Sequence, residues 1–357
     1  MRTFIQHWHN VITSKKGNTV EKLFLTLLSY PYRWIMGIRN FAYDCRIIPS
    51  HRDRLPVISI GNISVGGSGK TPLALWCAKI LLEQNKKPAI VARGYKRNGS
   101  ERDIRIVSDG EKILETACRA GDEAYLAAKK LKGACVIVGG DRVRSVAVAS
   151  RLEATHILLD DGFQHRKLKR NLDILCIDPS ILEAPYFFPR GILRESLAGM
   201  ARADFIAIKN GDEQWWNCFE KKFRLTIKKP IGFFAYKNSC IQNHKTGIMQ
   251  DIDFLRGKKI IPFCGIANPL QFEEQLQRAG AQIAESIRFE DHHPYRENEL
   301  KVLREKALTD TALLVTTEKD GVKLPRDFPA HVLTIELEWK KGEEKIKELL
   351  ANLNFLG

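Results

Sequence analysis

Short apolar runs recur along the chain at strand length, with longer mixed stretches between them. Residues 55–62, 88–92, 134–138, 157–160, 173–177 and 204–208 are continuous rather than alternating in hydrophobicity. That pattern predicts strands buried on both faces, and most of the gaps leave room for a helix. Residues 71–84 read as the first such helix, with Pro72 near its start, where a missing N–H costs nothing. The expected class is α/β, a parallel sheet covered by helices on both sides. The runs 157–160 and 173–177 are separated only by a short basic piece, which reads as hairpin-like. A seam follows at 210–230, where Asn210-Gly211 and a lysine-rich stretch (Lys221, Lys222, Lys228, Lys229) intervene. Beyond it, 259–264 and 313–316 read as strands and 272–279 and 297–307 as helices of a second, smaller α/β unit. The expected division is 1–222 and 223–357.

Residues 19–45 break this rhythm. Leu23, Phe24, Leu25, Leu27, Leu28, Trp34, Ile35, Ile38 and Phe41 crowd together, punctuated by Arg33 and Arg39, and Pro31 is expected to kink the helix they form. An aromatic-rich helix flanked by arginines suits a membrane interface, with the apolar face among acyl chains and the guanidinium groups at phosphates. A helix packed on the core would show a similar pattern. No run of 18 or more apolar residues is free of charge, so a spanning helix is not expected. The first sixteen residues lack the apolar stretch and cleavage site of a secretory signal.

Composition changes the picture in two places. The formal net charge of +15 favours an anionic partner: nucleic acid, lipid headgroups or a phosphorylated substrate. No zinc-finger, homeodomain or RNA-recognition pattern accompanies it, so nucleic acid is not the expected partner. Eight cysteines are scattered without a CxxC pair, which argues against a zinc site or disulfide framework and for a reducing compartment.

The strongest chemical signal is the run from Val57 to Thr71, where a strand enters the loop Ser64-Val65-Gly66-Gly67-Ser68-Gly69-Lys70-Thr71 and a helix follows. Such a loop turns backbone N–H groups onto phosphate oxygens at a helix N-terminus. Lys70 is placed for the β- and γ-phosphates of ATP and Thr71 for Mg²⁺. The strict pattern has glycine where this chain has Ser64. A second signal is His156-Ile-Leu-Leu-Asp160-Asp161, an apolar strand ending in carboxylates able to hold the metal's water shell. Gly121-Asp122-Glu123 could supply a metal ligand and a base, or simply open a helix. Asp291-His292-His293 could be an acid–base element, a metal site or a plain loop. One alternative for the whole is a P-loop ATPase switch of the partitioning or metallochaperone type. Many of those carry a lysine five positions before the loop lysine, where this chain has Val65.

Several blocks in this order resemble the tetraacyldisaccharide 4′-kinases of lipid A synthesis. They are Ser64 to Pro72, Ala92-Arg93-Gly94-Tyr95, Gly121-Asp122-Glu123, Leu159 to His165, Phe289 to His292 and Thr316-Thr317-Glu318-Lys319-Asp320. The resemblance implies a P-loop kinase domain with an interfacial helix, closed over by the smaller second domain. It implies ATP and Mg²⁺ as cofactors and an acylated disaccharide-phosphate lipid as substrate. Attachment would be peripheral, through 19–45, at the cytoplasmic face of the bacterial inner membrane. Asp122 is then the expected catalytic base with His292 as its partner, and Glu123, Asp160 and Asp161 the magnesium-side acids. Arg93, Tyr95, Gln164, His165 and Arg194 are expected on the substrate side. Around Arg194 the segment Phe188 to Glu195 departs from the family frame at Arg190 and Ile192.

Overall fold

The computed structural model describes residues 2–13, 19–94, 97, 100, 103–266 and 268–353. Two helices come first, α1 (Arg2–Thr13) and α2 (Thr19–Asp44), and α2 runs as one helix through Pro31. The βα rhythm follows: β1 (Val57–Gly61), α3 (Lys70–Glu83), β2 (Pro88–Ala92), β3 (Arg105–Asp109), α4 (Ala117–Ala120), α5 (Asp122–Lys130), β4 (Cys135–Val138), α6 (Arg142–Arg151), β5 (His156–Asp160), β6 (Leu172–Ile177) and β7 (Phe205–Lys209). The seam holds a helix, α7 (Glu213–Phe223), whose Trp216 and Phe219 are buried in an aromatic stack. After it come β8 (Ile231–Asn243), β9 (Met249–Asp251), β10 (Lys259–Cys264), α8 (Pro269–Arg278), β11 (Gln282–Ile283), β12 (Ile287–Arg288), α9 (Glu297–Thr309), β13 (Leu313–Thr317), α10 (Glu318–Gly321), β14 (Ala330–Lys341) and α11 (Glu343–Ala351).

The strands form one sheet in the order β11-β10-β13-β14-β8-β7-β6-β1-β5-β2-β4-β3. Every residue of β1, β5, β6 and β7 is buried, which is why these strands read as unbroken apolar runs. The core strands are parallel, while β3 runs antiparallel to β4 at one edge. β5 and β6 both lie parallel to β1, one on each side. The 161–171 piece is therefore a return to the opposite end of the sheet and not a hairpin. Its Phe163 is buried against the end of β1, and Gly61 makes this possible, because a Cβ there would sit 2.6 Å from both the Cβ and the backbone N of Phe163.

A long antiparallel ribbon joins the two ends of the sheet. The start of β8 pairs with β7, the start of β14 pairs with β13, and the two strands pair with each other along most of their length. One apolar core lies under α3 and α5, and two smaller ones flank β10 and β13. Ile346 and Leu350 of α11 belong to the first, so the end of the chain returns to pack beside α3.

The substitution Gly61→Ala should push β1 and the 161–171 return apart. Overpacking of this kind costs about 1–3 kcal/mol, and urea unfolding should show the midpoint falling with an unchanged slope.

Candidate active site

The loop after β1 is shaped by two residues with positive φ, Gly66 at 125° and Gly69 at 87°. Ser64 is not among the residues with positive φ; it forms an antiparallel bridge with Leu193, while Val65 N donates to Ile192 O at 2.7 Å. The first glycine of the strict pattern is therefore dispensable here, since residue 64 sits in backbone that any residue adopts. A Cβ on Gly66 or Gly67 would meet nothing within 4 Å, so that side of the loop faces open space. Gly69 faces the other way, where a Cβ would come within 2.7 Å of the Tyr236 hydroxyl. Lys209, at the end of β7, braces the loop by donating to Gly67 O at 3.1 Å and pairing with Asp178 at 3.1 Å.

The register of the sheet brings the acids to this loop. Ile60 pairs with Asp160, so the carboxyl end of β5 lies beside the point where β1 releases the chain. Thr71, in the first turn of α3, donates to Asp160 Oδ2 at 2.8 Å, and its hydroxyl lies 3.3 Å from Glu123 Oε2. Asp161 turns away with φ of 57° and accepts from Arg194 at 3.0 Å through both oxygens, with Lys70 at 3.6 Å. Gly121, with φ of 87°, opens α5, and Asp122 and Glu123 occupy its first turn, where the helix dipole favours negative charge. His292 Nδ1 lies 3.0 Å from Asp122 Oδ2, and Lys319 forms an ion pair with Glu123. Lys323 is 3.5 Å from Asp122.

These contacts set the charge states. Burial would raise the carboxyls of Asp122, Glu123 and Asp161. The bond from His292 and the charge of Lys323 outweigh it at Asp122, Lys319 outweighs it at Glu123, and Lys70 and Arg194 outweigh it at Asp161, so all three lie below the ordinary carboxylate range. At Asp160 burial wins, and with the neighbouring charge of Glu123 it lifts the carboxyl to about 6.

Asp160 Oδ1 and Ser68 Oγ are among the buried side-chain atoms without a hydrogen-bond partner among the described residues. A carboxylate oxygen without a partner beside a threonine hydroxyl fits a divalent cation, and the glycine loop beneath Lys70 fits a polyphosphate. Among the described residues no group of three or more His, Cys, Asp or Glu side chains forms a metal site by itself.

The remaining expected residues divide. Gln164 is bonded to Asn62 O at 2.5 Å and to Glu195 at 2.9 Å, and lies 3.4 Å from Arg194. His165 is held by burial, then by Arg142 and Arg170, at a pKa of about 4. Arg93 is exposed just past the end of β2. Tyr95 lies outside the described residues. Sequence reasoning assigned no role to Lys209, Glu195, Lys319 or Lys323. Lys209 had a signal, a lysine closing an otherwise apolar strand, and Lys319 lay in a recognised block.

A glycine loop at the carboxyl end of a parallel sheet, opposed by a threonine-bonded aspartate, defines a P-loop nucleotide-binding enzyme of the α/β class. A sequence model of the tetraacyldisaccharide-1-P 4′-kinases matches residues 21–354, and the chain belongs to that family of phosphotransferases. A tetraacyldisaccharide 4′-kinase of Halothermothrix orenii is 34% identical, covering 89% of this chain and 88% of its own. One from Desulfotalea psychrophila is 35% identical, over 83% and 86%. The crystal structure of the "apo" form of LpxK from Aquifex aeolicus in complex with ATP superposes with a TM-score of 0.77 at 31% identity, covering 94% of this chain and 99% of that one.

The raised Asp160 carboxyl has a consequence for stability. The folded state binds its proton more readily than the unfolded chain, so the contribution of Asp160 to stability falls as pH rises from about 4 to about 6. In nucleotide-free protein, the melting temperature of Asp160→Asn relative to wild type should climb across that window and level off above it.

Proposed function

We infer that the chain transfers the γ-phosphoryl group of ATP to the 4′-hydroxyl of a tetraacyl glucosamine disaccharide 1-phosphate, a step of lipid A biosynthesis. The observation that carries this reading is the adjacency of two pairs, Thr71–Asp160 for the nucleotide and Asp122–His292 for the acceptor. In the loose transition state of phosphoryl transfer, positioning and charge neutralisation do most of the work. Lys70 and the loop amides neutralise the transferring phosphate. Mg²⁺, held by Thr71 and Asp160 with Glu123 and Asp161 nearby, would supply further neutralisation between the phosphates. Asp122 accepts the hydroxyl proton late in the step, and His292 orients it. We assign Arg194, Gln164 and His165 to the substrate side, with the exposed Arg93 at its edge. His292, Lys319 and Lys323 all come from 223–357 while their acids come from 1–222, which supports closure of the second unit over the first with exclusion of water. The ATPase-switch alternative is not favoured by the family match or by Val65.

The lipid substrate explains α2. Withdrawing an acyl chain from a bilayer costs about 0.8 kcal/mol per CH₂, so the enzyme must meet the lipid at the surface. Val20, Leu23, Phe24, Leu27, Trp34, Ile35, Ile38 and Phe41 of α2 are all exposed, at spacings that share one helix face. The other face is tied down: Ser29 donates to Phe187 O, Tyr32 to Arg194 O and Arg39 to Gln164 O. Among the described residues no helix is long and apolar enough to cross a membrane. We place α2 flat in the cytoplasmic leaflet of the inner membrane, delivering the headgroup to Arg194 and Gln164.

Mass spectrometry of lipid products after incubation with MgATP should show one added phosphate at the 4′ position. Asp122→Ala should reduce that product by orders of magnitude while ATP affinity stays within twofold or so of wild type; near-normal turnover would remove Asp122 as base. Replacing Leu27, Trp34, Ile38 and Phe41 with Ser should release the protein from anionic liposomes, and unchanged co-sedimentation would exclude α2 as the anchor.

A further inference from the structure

Beyond the pairing of Lys319 with Glu123, the block Thr316 to Asp320 opens a buried charge network that ends on Asp122. Asp320 is fully buried and is fixed by Gly265 N at 3.1 Å and Thr317 Oγ1 at 2.8 Å, both on Oδ2. Its other oxygen forms an ion pair with Lys323 at 2.8 Å. The Lys323 side chain is only 9% exposed, and its ammonium lies 5.2 Å from the centre of the Tyr295 ring. From there the same ammonium reaches Asp122 Oδ2 at 3.5 Å.

We propose that Lys323 is a positioning residue for phosphoryl transfer, gripping Asp122 together with His292. This rests on the reading of Asp122 as the base. Both groups approach the same oxygen, Oδ2, with His292 at 3.0 Å and Lys323 at 3.5 Å. A carboxylate on a free side chain rotates broadly about its last torsion. Two partners on one oxygen stop that rotation and turn Oδ1 toward the acceptor hydroxyl.

The two partners share one support. Gly265 donates its N–H to Asp320 and accepts the N–H of His292 at 3.0 Å through its carbonyl. A side chain at Gly265 would come 2.6 Å from Glu290 O, so the backbone there is closely hemmed. His292 itself is held at φ of 64°. The spacing between His292 and Lys323 is thus set by rigid backbone and a buried aspartate. A lysine that merely neutralised Asp320 would have no need to extend toward Asp122.

The arrangement makes chemical sense despite its effect on basicity. A cation beside Asp122 makes it a weaker base, but in a loose transition state the proton moves late and placement counts for more. An ammonium stripped of water is retained only where carboxylates and a ring face replace its hydration, as here.

The test compares Lys323→Met, Lys323→Arg, Asp122→Ala and the double variant Asp122→Ala/Lys323→Met, assayed with MgATP and the lipid in mixed micelles. Lys323→Met should lower kcat by about tenfold to a hundredfold with KM for ATP unchanged, and Lys323→Arg should recover most of the loss. In the Asp122→Ala background the Met substitution should have no further effect. Near wild-type kcat for Lys323→Met, or an equal loss in the Asp122→Ala background, would overturn the proposal. If Lys323→Met does not fold, Lys323→Met/Asp320→Asn removes both buried charges and is judged by the same criteria. An active Asp122→Ala enzyme would instead overturn the base reading. An inactive Asp122→Ala enzyme beside a fully active Lys323→Met one would remove the clamp alone.

Discussion

Four carboxylates, those of Asp122, Glu123, Asp160 and Asp161, converge on one end of the sheet, and their mutual repulsion in a partly dry cleft is the constraint the architecture answers. Like charges this close cannot all remain ionised without nearby cations. The cations come from separate parts of the chain: Lys70 from the loop, Arg194 from the segment before β7, Lys319 from α10 and Lys323 from just after it. Three of the acids are held ionised in this way. Asp160, bonded to Thr71 through one oxygen, is the exception, because burial and the neighbouring charge of Glu123 raise its carboxyl.

The same compensation links distant parts of the chain. Glu123 and Asp122 lie in the first turn of α5, while their partners lie some two hundred residues further on, across the β8–β14 ribbon. Charge pairing therefore favours the arrangement in which Lys319 and Lys323 lie against the start of α5. Truncating either member of the Asp122–Lys323 pair would leave an uncompensated buried charge, which costs more than the pair itself contributes.

A second set of contacts ties the cluster to α2. Glu195 is buried and accepts from Gln164 at 2.9 Å, Arg202 at 2.7 Å and Asn40 at 3.1 Å. Arg194, its neighbour, holds Asp161 through its side chain and accepts the Tyr32 hydroxyl through its carbonyl. The apolar helix is thus bonded to the residues that flank the acids, so its orientation at a surface and the position of Arg194 are mechanically coupled.

The amino-acid sequence alone determined the features that depend on near neighbours. Continuous apolar runs marked β1, β2, β4, β5, β6, β7, β10 and β13, because a strand buried on both faces has no polar side to show. The loop from Ser64 to Thr71 announced a phosphate cradle, since glycine spacing and a following helix are local facts. The antiparallel ribbon of β8 and β14 was not legible, because half of its length alternates with polar residues and its pairing runs from His331 with Asn243 to Lys341 with Phe233, far apart in the chain. The 161–171 return looked like a hairpin because a short basic link resembles a turn until the strands beside it are known to flank β1. Family resemblance named the acids, but only the folded chain decided which cation each one meets. Ion pairing depends on distance in space, and nothing in the spacing of Lys319 or Lys323 along the chain could reveal that they end on Glu123 and Asp122.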